Sequence, residues 1–593
     1  MMQKTGMGLF VAANFFLIAV LFLNDYQLEK QVVRDVLNEE QLEFGEEALQ
    51  PMFGKLFTSK VRFINDFEDH LGQANRNIQE KYGISDQEIQ QIIKASQEGE
   101  QVNYNLDRLK DIYNQDVEVE AYKAEQLSGY TNWLVDKEFS SINELEEALS
   151  QSISNLNRNI IQQRGFSDYL IDQIKLDATK KSGVGFVSDH HLLLFWLIIG
   201  AGLSGGLLYI LPKLNLLPGI KNNHVFHSAN KNRGWIGISI GILLILFYVV
   251  IYWYPAYVTE WLILVDPLSY WIKNQPASQW FFYGFLYTLA IAVMGIRMII
   301  HYRHSKYHIL RTISVIFFQV AFAFMIPEIL LRLNQPSMDF KNIWPLDYDF
   351  FFDYNLSTLV SSGSLGMFML VWGVALIVIG VPVITYFYGK RWYCSWVCGC
   401  GGLAETMGDP YRQLSDKTLK AWQVERWLVH GVLVFSVVMT IGVLYTYLTG
   451  SGSLAGINTY NLRSIYGFAI GAAFAGVIGV GFYPFMGNRV WCRFGCPLAA
   501  YLGLVQRFKS RFRITTNGGQ CISCGNCSTY CEMGIDVRWY AQRGQNIVRS
   551  SCVGCGVCSS VCPRGVLNLE NKDPKGRFGK PILLGNDSIK VVN

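Results

Sequence analysis

Eight separate runs of about twenty apolar residues constrain this 593-residue chain more than any other feature. A run of that length is what a bilayer's hydrocarbon core requires of a helix. They fall at about 7–23, 190–211, 234–254, 279–300, 309–331, 364–388, 427–448 and 464–485. Half the residues are hydrophobic and only 17% are charged, which excludes a string of soluble domains. The first run follows Lys4 but exits into Asn24-Asp25-Tyr26 without a small-x-small site, so it reads as an uncleaved anchor.

The short loops set an orientation. Lys213, Lys221, Lys231 and Arg233 crowd one loop, Arg303 and Lys306 a second, and Lys390, Arg391, Arg412, Lys417, Lys420 and Arg426 a third. The alternate loops carry Asp339, Asp347, Asp349 and Asp353 against few bases. Basic loops stay cytoplasmic, which places the N-terminus and everything after the eighth run inside a bacterial plasma membrane. Residues 24–189 then lie outside. They contain no cysteine, and Ser85-x-x-Glu88 and Ser141-x-x-Glu144 precede apolar faces at helical spacing. Leu145, Leu149, Ile153, Leu156 and Ile160 form one such face, and Ile64, Phe67, Leu71 and Ile78 another. A helical outer domain is expected, acting as spacer or docking surface.

Thirteen cysteines carry the chemistry. Cys521, Cys524, Cys527 and Cys531 read C-x2-C-x2-C-x3-C, and Cys552, Cys555, Cys558 and Cys562 repeat it, followed by Pro563. This spacing resembles the bacterial-type two-cluster ferredoxins, in which each run supplies three thiolates to one [4Fe–4S] cubane and its fourth to the other. By that rule one cluster takes Cys521, Cys524, Cys527 and Cys562, and the second takes Cys552, Cys555, Cys558 and Cys531. Structural zinc prefers two separated C-x2-C pairs and fits poorly.

Five more cysteines sit where apolar runs end. Arg391-Trp-Tyr-Cys394-Ser-Trp-Val-Cys398-Gly-Cys400 follows the sixth and Arg489-Val-Trp-Cys492-Arg-Phe-Gly-Cys496-Pro497 the eighth, so 364–400 and 464–497 read as an internal repeat. The thiols of Cys394, Cys398, Cys400, Cys492 and Cys496 suit a further soft-metal centre, a dithiol/disulfide relay, or inert burial. Gly399, Gly401 and Gly402 indicate a tight loop against a cofactor or a neighbouring helix.

Two C-x3-C motifs after membrane spans, then two ferredoxin runs, make residues 364–570 similar to the NosR/NapH group and the related CcoG-type proteins. Two departures stand out: Gly399 and Glu532 occupy positions where that group carries proline. Residues 24–189 also lack the motif on which NosR-type proteins carry covalent FMN, so FMN is not supported. The expected fold is an all-α polytopic membrane protein of about eight transmembrane helices, with a C-terminal 2[4Fe–4S] ferredoxin-like α+β domain and a helical extracytoplasmic domain. Its parts are an anchor (1–23), the outer domain (24–189), a four-helix membrane bundle (190–331), an outer loop (332–363), the C-x3-C segment (364–500), the cluster domain (501–570) and a tail (571–593).

The resemblance implies an electron-transfer protein in the lipid bilayer, relaying electrons from a cytoplasmic or quinol donor to a membrane or periplasmic acceptor, with redox partner proteins and no nucleic acid. A copper reductase or assembly factor of the CcoG type, or a redox sensor, is the alternative. No C-x2-C-H excludes c-type haem. Haem b is disfavoured, because His430 alone falls inside a run, with His190 and His191 at a boundary and His224, His227, His301, His304 and His308 in loops. Glu328 lies near the outer end of the fifth run, where an intramembrane carboxylate marks a proton or quinol site or, this shallow, is merely interfacial. The segment Arg507-Phe-Lys-Ser-Arg-Phe-Arg513 suits an anionic membrane surface or a plain positive-inside flank.

Overall fold

The computed structural model describes residues 1–98, 101–102, 104, 112–113, 117–135, 137, 139, 141–216, 234–450, 452–454, 456–571, 582–584 and 589–591. Lys221, Lys231, Arg233, His224 and His227 lie outside the described residues, as does most of the tail.

Eight helices are long and apolar enough to cross a membrane: Met2–Phe22, Phe186–Asn215, Gly234–Trp253, Gln279–His301, Lys306–Arg332, Gly363–Tyr388, Leu419–Thr449 and Thr459–Gly481. All eight expected runs are recovered. The seventh starts eight residues before its apolar run because the Thr418 side chain accepts from the Ala421 N–H and caps it. Left-handed Gly450 (φ 71°) ends it. Spans five, six and eight contain π-helical stretches, Phe318–Met325, Leu376–Gly380 and Gly467–Ile478. Pro327 and Pro382 directly follow the first two, where a missing N–H disfavours an unbroken α-helix. The eighth span is glycine-rich for close approach: a Cβ on Gly481 would lie 2.6 Å from Ile245, and one on Gly476 3.0 Å from Tyr248.

The chain divides into two compact units. One comprises Leu17–Leu194 with Pro255–Leu264. Its principal helices are Lys60–Tyr82, Asp86–Ala95, Glu118–Thr131, Ile142–Arg164 and Asp168–Lys181. Both expected apolar faces are buried in its core, and Ser85 and Glu88 form a reciprocal capping box. Sequence patterning misses a three-stranded sheet of Asn24–Gln27, Leu56–Phe57 and Gly183–Gly185, whose strands are too short to show alternation. Glu260, fully buried, pairs with Lys60 and accepts from the Tyr26 hydroxyl.

The other unit holds Met1–Phe16, Phe195–Tyr254 and Val265–Asn593. Its cluster domain rests on antiparallel strands Phe512–Thr516 and Leu567–Asn571, in register from Phe512↔Asn571 to Thr516↔Leu567. Here the structure corrects the reading of 507–513 as one membrane-facing flank. Phe512 and Arg513 are only 2% and 6% exposed, drawn into the strand, while Arg507, Phe508 and Lys509 remain exposed and Arg511 half-buried.

Candidate functional site

The two ferredoxin runs fold as near copies. Each places a left-handed residue before its second cysteine (Ser523, Gly554) and a left-handed glycine after it (Gly525, Gly556). Those glycines open the short helices Asn526–Thr529 and Val557–Ser560, which carry Cys527 and Cys558. A third left-handed residue, glycine in both runs, follows each fourth cysteine, at Gly534 and Gly565. Only such a backbone can turn tightly enough for closely spaced thiols to converge. The pairing of donors repeats too: the Ile535 N–H lies 3.4 Å from the Cys531 Sγ and the Val566 N–H 3.3 Å from the Cys562 Sγ.

One cavity is lined by Cys521, Cys524, Cys527 and Cys562, with Arg538 and Arg564 beside them. Those are three thiols of the first run and the fourth of the second. The remaining four are Cys531, Cys552, Cys555 and Cys558, of which Cys552, Cys555 and Cys558 lie on the second run. Burial pushes the Cys558 thiol well up, and Cys552, Cys531 and then Cys527 add to it. Burial likewise pushes Cys552 up to about 11, with Cys531 adding to it. All thirteen cysteines are free thiols. Two four-thiol groups, partly buried with Cys524 at the surface and each supplied with an N–H donor to sulfur, are the donor set an iron–sulfur cluster needs.

The five boundary thiols also come together. Cys394, Cys398, Cys492 and Cys496 are buried and Cys400 is half-buried. A hydrogen bond from Cys400 lowers the Cys398 thiol to about 6, while burial drives Cys394 up to about 12. Cys496 is raised by burial and then by Cys492, Cys398 and Cys394, so thiols of both half-repeats face one another. Cys492 sits in a π-helical turn, Trp491–Gly495, and Arg489 reaches across to the Cys394 carbonyl at 3.2 Å. The glycines answer to neighbouring chain segments. A Cβ on Gly401 would lie 2.0 Å from the Cys394 carbonyl oxygen, on Gly399 2.5 Å from the Tyr287 hydroxyl, and on Gly402 2.6 Å from Val315.

Sequence reading missed a buried ionic network beneath these groups. Glu405 pairs with Arg311 (2.8 Å), Arg412 (2.9 Å) and Arg489 (2.7 Å). Glu532 pairs with Arg412 (2.6 Å) and Arg489 (3.1 Å). Burial alone would raise the Glu405 carboxyl, but the three guanidiniums outweigh it and hold it below the ordinary carboxylate range. Glu532 follows Cys531, so the residue standing where proline was expected is an anchor of this network. Glu405, Glu532 and Cys555 offer ligand-type atoms within 4.8 Å of one another. The arginines already occupy both carboxylates, so a cation there would meet like charge, and the cluster is not a metal site.

Histidines need two corrections: His301 is no loop residue but the last residue of the fourth span, Gln279–His301, which runs one residue beyond its expected end. His308 is no loop residue: it lies in the first turn of the fifth span and is 2% exposed, because that helix begins at Lys306. Glu328 is matched by Lys273 at 3.2 Å and leaves no free intramembrane acid there.

A 4Fe-4S binding domain model matches the chain twice, at 370–418 and 468–515, and a 4Fe-4S dicluster domain model matches 520–567. The double match falls on the two half-repeats, each bearing one C-x3-C pair. The chain fits a NapH/NosR-like polytopic 4Fe-4S protein. Among curated proteins it is similar to the methylamine utilization ferredoxin-type protein MauN of Paracoccus denitrificans (strain Pd 1222), 28% identical over 163 residues, 26% of this chain and 53% of that one. MauN of Methylobacillus flagellatus is 25% identical over 164 residues, 26% of this chain and 53% of that one. YccM of Escherichia coli (strain K12), which carries a provisional name as an electron transport protein, is 25% identical over 166 residues, 25% of this chain and 43% of that one. The chain thus spans about half the length of the curated relatives it matches. No solved structure matches.

Proposed function

We propose that this NapH/NosR-like chain is a membrane-bound electron-transfer protein with its cluster domain and N-terminus on the cytoplasmic side and residues 24–189 outside. One observation carries the reading: the loop of the second ferredoxin run is bonded directly to the first C-x3-C loop. The Ser395 hydroxyl, between Cys394 and Cys398, donates to the carbonyl of Val553, between Cys552 and Cys555, at 2.8 Å. Lys390 donates to the Ser550 carbonyl at 2.9 Å, and Arg311 to that of Cys555. Thiol groups held by adjoining loops are what a relay requires.

Cys521, Cys524, Cys527 and Cys562 would hold one [4Fe–4S] cluster, and Cys531, Cys552, Cys555 and Cys558 the second. The five boundary thiols would hold a further iron–sulfur centre, a reading supported by the match of both half-repeats to a 4Fe-4S binding model. Such clusters supply one-electron acceptance and donation. The chain's own residues supply a buried ionic frame beside Cys555, in which Arg311, Arg412 and Arg489 are set against Glu405, Glu532 and Asp409.

A quinol is the donor this geometry favours. A cavity of roughly 850 Å³ opens beside that same loop pair, walled by Tyr307, His308, Trp392, Trp396 and Gly556. His308 holds the Ser305 hydroxyl through Nδ1 at 2.8 Å, while its buried Nε2 has no partner. The aromatic walls would clasp a quinol ring and Nε2 would take its hydroxyl hydrogen bond. His308→Gln should slow cluster reduction by a soluble quinol roughly tenfold, the worth of a lost hydrogen bond in a dry site. Reduction by dithionite should be unchanged. Equal quinol rates in variant and parent would refute this donor while leaving the relay intact.

A further inference from the structure

A second large cavity, roughly 870 Å³, lies between the start of the seventh span and the cluster domain. Its walls carry six cations, Lys390, Lys417, Arg426, Arg493, Arg507 and Arg549, against two acids, Glu425 and Asp536. Glu425 is already committed to Arg493 Nε at 2.7 Å and to the Ser551 hydroxyl. Asp536 accepts from the Ser528 hydroxyl at 2.6 Å. Arg493, 3% exposed, spends Nη1 on the Asp416 carbonyl at 2.7 Å, and its buried Nη2 has no partner. With Glu425 spent on Arg493, the other five cations make no ion pair among the described residues, and one guanidinium nitrogen of Arg493 points unpaired into the same hollow.

The cavity continues into a second hollow on the seventh span. Arg426 and Trp427 line both, and beyond them the wall is apolar: Leu428, Val432 and Phe435, with Gly431 open for want of a side chain. Trp427 is 74% exposed and Phe508, beside Arg507, 71%. Aromatic rings next to basic side chains at the end of a membrane helix are the pattern of a headgroup boundary. A basic hollow running into an apolar helix face fits an amphiphile with an anionic head and a hydrocarbon tail.

We propose that this cavity binds the phosphate headgroup of an anionic phospholipid, with one acyl chain along Trp427, Gly431 and Phe435. Because Arg549 and Trp539 of the cluster domain share the walls with the seventh span, the bound lipid ties that domain to the membrane end of the helix. A soluble phosphate compound shares the headgroup chemistry but would leave the apolar hollow unused.

The test uses the full chain with its clusters, delipidated in neutral detergent. Lipid retention by native mass spectrometry and thermal stabilisation are measured with phosphatidylglycerol, with phosphatidylcholine and with inorganic phosphate. Phosphatidylglycerol should be retained and should stabilise; the other two should not. Arg426→Gln with Arg507→Gln, both exposed in the free protein, should weaken retention roughly 25-fold, about fivefold per charge removed. Equal retention of both lipids, stabilisation by inorganic phosphate equal to that by lipid, or an unaffected double variant would each overturn the proposal.

Discussion

Replacing Glu532 with proline is expected to cost about 3–5 kcal/mol of stability, although it would give the first ferredoxin run the same ending as the second, Cys562-Pro563. The carboxylate is 1% exposed and pairs with Arg412 and Arg489, and the Asn488 amide donates to it at 3.1 Å. Its loss leaves Arg489 with only Glu405, which it shares with Arg311 and Arg412, and Arg412 with Glu405 and Asp409; an undercompensated buried charge costs more than a lost surface pair. Glu532→Gln should be milder, since the amide oxygen can still accept from one arginine. Thermal unfolding in detergent reads the ranking, with the proline variant lowest. A proline variant as stable as the parent would mean the network contributes nothing that the motif's usual residue does not.

The largest effect on the centres themselves is expected from paired cysteine substitutions. Cys562→Ser should remove one cubane, about four irons. Combined with Cys521→Ser, it should remove no more, because both side chains line one cavity. Combined with Cys552→Ser, it should remove both ferredoxin-type centres, about eight irons. Pairing within each run would reverse the two doubles. Iron analysis with EPR after dithionite separates the cases, and the boundary thiols serve as an internal constant because no variant touches them.

Much of this architecture is legible in the chain itself. Apolar length marks all eight spans, since backbone polarity forces any spanning segment into helix. Cysteine spacing marks the two runs, since a cubane needs thiols a few residues apart. What escapes is long-range. Glu405, Arg489 and Glu532 mean nothing singly; their partners lie as much as 120 residues away, as in Arg412 to Glu532, and only folding brings them together. Arg412, read only as a topology-setting loop charge, is 1% exposed at the centre of that network. Phe512 and Arg513 looked like membrane-facing residues because alternation of base and aromatic is also the signature of a strand, and here the strand prevailed. His308 was misplaced by a helix start three residues early, within the ordinary softness of such boundaries.

The most direct measurement is iron and acid-labile sulfide per chain on the purified, full-length protein. At least about eight of each are expected, the content of two cubanes, with any excess belonging to the boundary thiols. Zinc in place of iron, or iron below about four per chain, would contradict the account at its root.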